Sequence, residues 1–306
     1  MRRKTGAGRP ARTREIGVGG FAAGARARRY VGEVLRSGRL SYGPFHRRFE
    51  ESFAAEHDCR HAAFCNSGTS ALHVAVQALK EKHGWADGDE VLVPSVTFIA
   101  TSNVVLHNRL TPVFVDVDPR TYTLDPALVA AKLTKRTRAV MPVHLLGLPA
   151  DMDPVLDLAR RKGLSVVEDS AETMFARYKG RKVGSLGDVG CFSTYVAHYI
   201  VTGVGGLTTT NDPDLHVRVR SLMNHGRDSI YLSIDDDAEA TGARLHEIAA
   251  RRFRFVSVGH SFRATELEAA LGLAQLEEKD RIVRARLAMA RRLSAGLKEF
   301  EDRLQL

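Results

Sequence analysis

The feature that most constrains this chain is a rhythm. Short apolar runs, each closed by small or polar residues, alternate with stretches whose apolar residues recur at helical spacing. The runs are Ala62 to Cys65, Glu90 to Pro94, Thr111 to Asp118, Arg138 to His144 and Leu164 to Glu168. Between them lie Ala71 to Leu79, Ser95 to His107 and Asp153 to Gly163, each read as a helix. This alternation predicts right-handed βαβ units and a mainly parallel sheet, hence an α/β fold. In such a sheet, functional residues belong at the carboxyl ends of the strands. Here those ends carry Asn66-Ser67-Gly68, Pro94 to Phe98, His144 and Glu168-Asp169.

The flanks are read the same way. Two short helices separated by a Gly-containing turn precede the first strand, from about Ala27. Beyond Gly206 come a short strand and turn, then a helix through LHVRVRSLMNHGRD. Asp235 to Asp237 reads as a solvated loop, because it lacks the glycine and distal glutamate of a calcium loop. Arg251 to Val258 is predicted to be a strand, and everything from Thr265 to Phe300 one long amphipathic helix. The expected organisation is a basic arm over 1–26, a large α/β domain over 27–264, and from 265–306 a helix that begins a C-terminal domain largely missing from the chain.

Charge bears on the choice of partner. The chain carries 45 Lys and Arg against 36 Asp and Glu, a net charge of +9. Most of that excess lies in the first thirty residues, where Glu15 is the lone acid among the basic residues. A Gly- and Ala-rich basic head reads as a solvated tail rather than a nucleic-acid tether. Its glycines and its lack of an apolar face also argue against a transit peptide. No apolar run is long enough to span a bilayer. Cys59, Cys65 and Cys191 show no C-x-x-C spacing, which suggests neither a zinc site nor a disulfide framework and fits a reducing cytoplasm.

Four strand-end features can serve one ligand. Ser67-Gly68-Thr69 sits between a strand and a helix N-terminus, where free amides and the helix dipole favour an anion such as phosphate. The Ser193 hydroxyl can join them. Phe98 can stack on a flat ring, or simply enter the core. Asp169, after an apolar strand, can pair with a protonated pyridine nitrogen, or merely cap a helix. Phosphate cradle, ring stacker, pyridinium partner and hydroxyl together point to pyridoxal phosphate (PLP).

From about Val31 to Lys298 the chain resembles the DegT/DnrJ/StrS sugar aminotransferases and their dehydratase relatives, which have the type I PLP fold. The blocks that carry the likeness are SGRLSYGPFHRRFEESFA, NSGTSAL, VLVPSVTFIATSNVV, TPVFVDVDPRTYTLDP, VVEDSAETMFARYKGRKVGSLGDVGCFSTY, GVGGLTTT and FRATELEAALGLAQL, in that order. The resemblance implies a seven-stranded, mostly parallel sheet. It also implies that Gly68, Thr69 and Ser193 hold the cofactor phosphate, that Phe98 stacks on the ring and that Asp169 pairs with the ring nitrogen. Glu172 stands where the family has a glutamine near the ring hydroxyl. Asn224 matches a residue that reaches the phosphate of the neighbouring subunit, which implies a homodimer with shared sites. Arg263 falls in a recurrent Asn-x-Arg block whose asparagine is here Ser261.

One position departs from the aminotransferase pattern. His198 stands where those enzymes have the lysine that anchors PLP covalently, and an imidazole has no primary amine with which to do so. It remains a base suited to neutral pH. A nucleotide-sugar 3-dehydratase branch of the family has histidine here, and Tyr195, Ala197, His198, Ile200, Gly203, Gly205 and Gly206 match its stretch. Tyr199 replaces that branch's second histidine, and Val204 replaces a glutamate common to both branches. Three readings stay open: dehydration of a keto-sugar nucleotide with PLP or pyridoxamine phosphate (PMP), transamination by an unorthodox route, and a catalytically decayed or regulatory relative.

Overall fold

The computed structural model describes residues 17, 19–228, 240–251 and 253–305. In chain order the elements are helices α1 (Ala25–Ser37) and α2 (Pro44–Glu56), strand β1 (His61–Cys65), α3 (Gly68–His83), β2 (Glu90–Pro94), α4 (Ala100–His107), β3 (Thr111–Val115), the single turn α5 (Pro126–Val129) and β4 (Thr137–Val140). They continue with α6 (Met152–Lys162), β5 (Ser165–Asp169), the two-residue strands β6 (Arg177–Tyr178) and β7 (Arg181–Lys182), then β8 (Val189–Ser193) and β9 (Gly206–Thr210). The last are α7 (Pro213–Met223), α8 (Gly242–Arg251), α9 (Glu266–Leu276) and α10 (Lys279–Leu297).

Seven strands form one sheet in the order β1-β9-β8-β5-β4-β2-β3. All neighbouring pairs are parallel except the two that involve β9, which runs against β1 and β8. The expected mostly parallel sheet is therefore present. Its strands are apolar on both faces, as a sheet covered on both sides requires. On one face, Val91, Val93, Val167 and Val189 pack under α3, α4 and α7. On the other, Leu92, Val140 and Val166 pack against α6, while Phe64, Phe192 and Leu207 meet Phe49 and Phe53 of α2 and the small residues of α9. Strand alternation thus assigns Val167 and Asp169 to the α3/α4 side and Val166 and Glu168 to the other.

Four boundaries differ from those read in the sequence. The helix expected from Ser95 begins only at Ala100, leaving Ser95 to Ile99 as an exposed turn at the end of β2. The strand expected over Arg138 to His144 ends at Val140; Pro142, which has no N–H to donate, follows, and a lone bridge from Val143 to Asp169 prolongs the pairing. Among the described residues of 251–258 there is no strand: Arg251 ends α8, and the rest make one isolated bridge, Phe255 to Arg227. The single long helix from Thr265 is two helices. Glu277 turns aside to accept from the Tyr30 hydroxyl at 2.9 Å and to pair with Arg26, and α9 stays on the core while α10 buries no side chain. Asp235 to Asp237, read as a solvated loop, lie outside the described residues, as does most of the basic arm. Among the described residues no helix is long and apolar enough to cross a membrane.

Candidate active site

The carboxyl ends of β1, β2, β5 and β8 surround a cavity of about 430 Å³. Gly68, Thr69, Phe98, Asp169, Glu172, Ser193 and His198 all line it, with Thr97, Tyr195 and Val204 among the others. Asn224 does not. It caps α7 and bridges to Ser261, and its buried side-chain oxygen has no partner among the described residues. Arg263 lies beside it and donates to Ser261 Oγ at 3.1 Å.

The floor is the start of α3. Ser67 takes the N-cap position, its hydroxyl accepting from the Ser70 amide at 3.0 Å, so that the helix N-terminus opens into the cavity at Gly68 and Thr69. Gly68 is required by proximity: a Cβ there would stand 2.6 Å from the Ser193 Cβ. Without that side chain, the first turn of α3 and the end of β8 meet, and the Ser193 hydroxyl joins the ring of donors. These groups suit a phosphate.

The back wall is Asp169. It is 4% exposed and accepts from the Thr101 hydroxyl at 2.8 Å and the Ala171 amide at 3.2 Å. Burial raises its carboxyl above the ordinary aspartate range; those two donors, and His144 more weakly, pull it back only in part. A buried carboxylate held by one hydroxyl and one amide lacks a cation, and a protonated ring nitrogen would supply one. The donor set therefore fits PLP. Phe98 is 71% exposed toward this space, so it is not a core residue, and a flat ring could lie against it.

Glu168, one residue earlier, shares the strand end with Asp169, and His144 stands at the end of the neighbouring run; the structure gives both another task. Glu168 accepts from the amides of Gly184, Leu186 and Gly187 at 2.8, 2.7 and 2.7 Å and pairs with His144 Nε2 at 3.0 Å. His144 Nδ1 accepts from the Ala150 amide at 3.0 Å, which puts the ring proton on Nε2 and aims it at Glu168. The pair clips two loops together on the sheet face away from the cavity.

His198 rides on the loop between β8 and β9. Thr194 and Thr202 close that loop, the Thr202 amide donating to the Thr194 carbonyl at 3.0 Å. Gly205, at φ 152°, lies so close to both threonine hydroxyls that no side chain would fit. Burial lowers the His198 pKa below the ordinary histidine value, opposed by Glu172 and reinforced by Arg286. Among the described residues, no lysine lines the cavity. Thr101, which orients Asp169, went unnoticed in the sequence; its only signal was a hydroxyl three residues beyond Phe98.

A seven-stranded, mostly parallel sheet with this cavity at its strand ends is the type I fold of PLP enzymes. Its sequence pattern is matched over residues 22–306, and the chain belongs to the DegT/DnrJ/EryC1/StrS aminotransferase family. It is 45% identical over 260 residues to a GDP-perosamine synthase of Caulobacter vibrioides, covering 85% of this chain and 64% of that protein. The chain thus spans less than two thirds of that relative's length. Among solved structures, an aminotransferase from Psychrobacter cryohalolentis superposes with a TM-score of 0.80 at 35% identity, covering 92% of this chain and 68% of that one. The E. coli GDP-4-keto-6-deoxy-D-mannose-3-dehydratase with bound hydrated PLP gives 0.82 at 25% identity, covering 92% and 72%.

Proposed function

We propose that this protein is a cytoplasmic enzyme that binds PLP or PMP without a covalent anchor and removes the C3 hydroxyl of a keto-sugar nucleotide in deoxysugar or polysaccharide synthesis. The observation that carries this reading is His198 lining a cavity that also holds the buried Asp169 and, among the described residues, no lysine. When bound, PMP supplies an amine that condenses with a keto group and a ring that accepts electrons. Gly68, Thr69 and Ser193 hold its phosphate, Phe98 covers the ring, Asp169 keeps the ring nitrogen protonated and Glu172 stands near the ring hydroxyl. The His198 imidazole takes the proton whose loss precedes departure of the sugar hydroxyl. Asn224, remote from the cavity of its own chain, is proposed to reach the phosphate bound by a second copy in a homodimer.

Transamination is favoured by a different observation, the higher identity to the aminotransferase-fold relatives than to the dehydratase. The product separates the two: incubation of the PMP-loaded protein with a 4-keto sugar nucleotide gives a 3-deoxy sugar in one case and an amino sugar in the other. His198→Lys should acquire a borohydride-trappable link to PLP that the parent lacks. Such a link in the parent would overturn the reading. Spectroscopic cofactor binding with no turnover on either route would assign the chain to a decayed relative, as Val204 in place of the family's glutamate would then explain.

A further inference from the structure

The loop that carries His198 is gripped from outside the cavity by the last two helices. From α9, the Gln275 side chain bonds the backbone of Val201, accepting its N–H at 3.2 Å. From α10, Arg286 donates to the His198 carbonyl at 2.6 Å, and its guanidinium carbon lies 4.7 Å from the centre of the Tyr199 ring. Tyr199 packs edge-on against Phe175, which borders the core. On the remaining side the backbone at Gly19 comes so close to the Val196 carbonyl that a Cβ would overlap it. Inside the loop, the His198 amide donates to the Tyr195 carbonyl at 2.9 Å.

We infer that Arg286 is a positioning residue for His198, fixing the peptide from which the imidazole projects. A guanidinium that bonds a carbonyl and stacks on the next side chain constrains that peptide in two directions, and lysine could keep the charge while losing the planar stack. The charged groups that act on the imidazole are Glu172, which favours its protonated form, and Arg286, which opposes it. Arg286 is exposed, and its contacts here are with the loop carrying His198 rather than with the sheet. The inference rests on the proposed role of His198 for its kinetic consequence, but not for its geometry.

The test uses the full chain with labelled histidine, the His198 resonance being the one lost in His198→Asn. In Arg286→Met, removal of the cation should move the His198 titration midpoint upward; Arg286→Lys, which keeps the charge but loses the planar stack, should return the midpoint most of the way and leave kcat low. Dehydration by the PMP-loaded Arg286→Met enzyme should show its acidic limb moved upward by the same amount. Its kcat should fall about tenfold with KM little changed, as misplacement of a base would cause. An unmoved midpoint in Arg286→Met overturns the inference whatever the activity does. A moved midpoint with an unmoved pH profile leaves Arg286 as the positioning residue and removes His198 from the role of base.

Discussion

Glu168 and Asp169 are consecutive carboxylates at the end of one strand, both buried, and they differ in what meets them. Glu168 receives three amides and an imidazole N–H. Asp169 receives one hydroxyl and one amide. The alternation of β5 sends the first toward the loops over one face and the second into the cavity on the other. A buried charge with its acceptor capacity filled holds structure together; one left short of a cation is a seat for a charged ligand.

The largest expected break in this contrast is Glu168→Ala. It strands three amides and the His144 ring away from water, and should lower the unfolding free energy by about 4 kcal/mol in a denaturant titration. A loss under about 1 kcal/mol would put the two carboxylates in the same class. Asp169→Asn should act the other way round, weakening PLP binding by about 2 to 3 kcal/mol in a spectroscopic titration while sparing the fold.

The pH dependence of that variant sharpens the contrast. Burial raises the folded-state pKa of Asp169 above its unfolded value, so the folded chain holds this proton more tightly than the unfolded one. The group is therefore least harmful to stability below its unfolded pKa of about 4, and the loss grows as pH rises toward the folded value and persists above it. Without cofactor, Asp169→Asn should melt above the parent at pH 8, and the gap should close as the pH falls toward about 4. A gap independent of pH would mean that the carboxylate has the same pKa folded as unfolded, its donors fully offsetting its burial. The smallest effect is expected for Thr101→Val, which removes one of Asp169's two donors and should weaken cofactor binding by about 1 kcal/mol without touching the Glu168 clip.

Much of the cavity was legible in advance because the rule behind it is local. A strand, a tight turn and a helix N-terminus place whatever follows the strand at one end of a parallel sheet, so Gly68, Thr69, Phe98, Asp169 and Ser193 arrive at one space, joined by Glu172 and His198, which the family resemblance had named. The failures share a cause as well. Positions 251–258 alternate like a strand but form none among their described residues, making only the Phe255 to Arg227 bridge, and the residues from Thr265 keep a helical period through Glu277, where the path turns and Glu277 meets Tyr30 and Arg26. Periodicity states which side chains share a face, and says nothing of what waits opposite.

Sequence by itself determined the α/β fold and the strand ends that surround the cavity, since each depends on residue type and short-range spacing; that His198 stands in the place of a covalent anchor is what the family resemblance implies. Only the tertiary structure decided that Glu168 is a clip and Asp169 an open seat, that Thr101 steers the latter, and that α9 and α10 grip the His198 loop. Those distinctions depend on donors contributed from tens of residues away, and packing alone brings them within hydrogen-bonding distance.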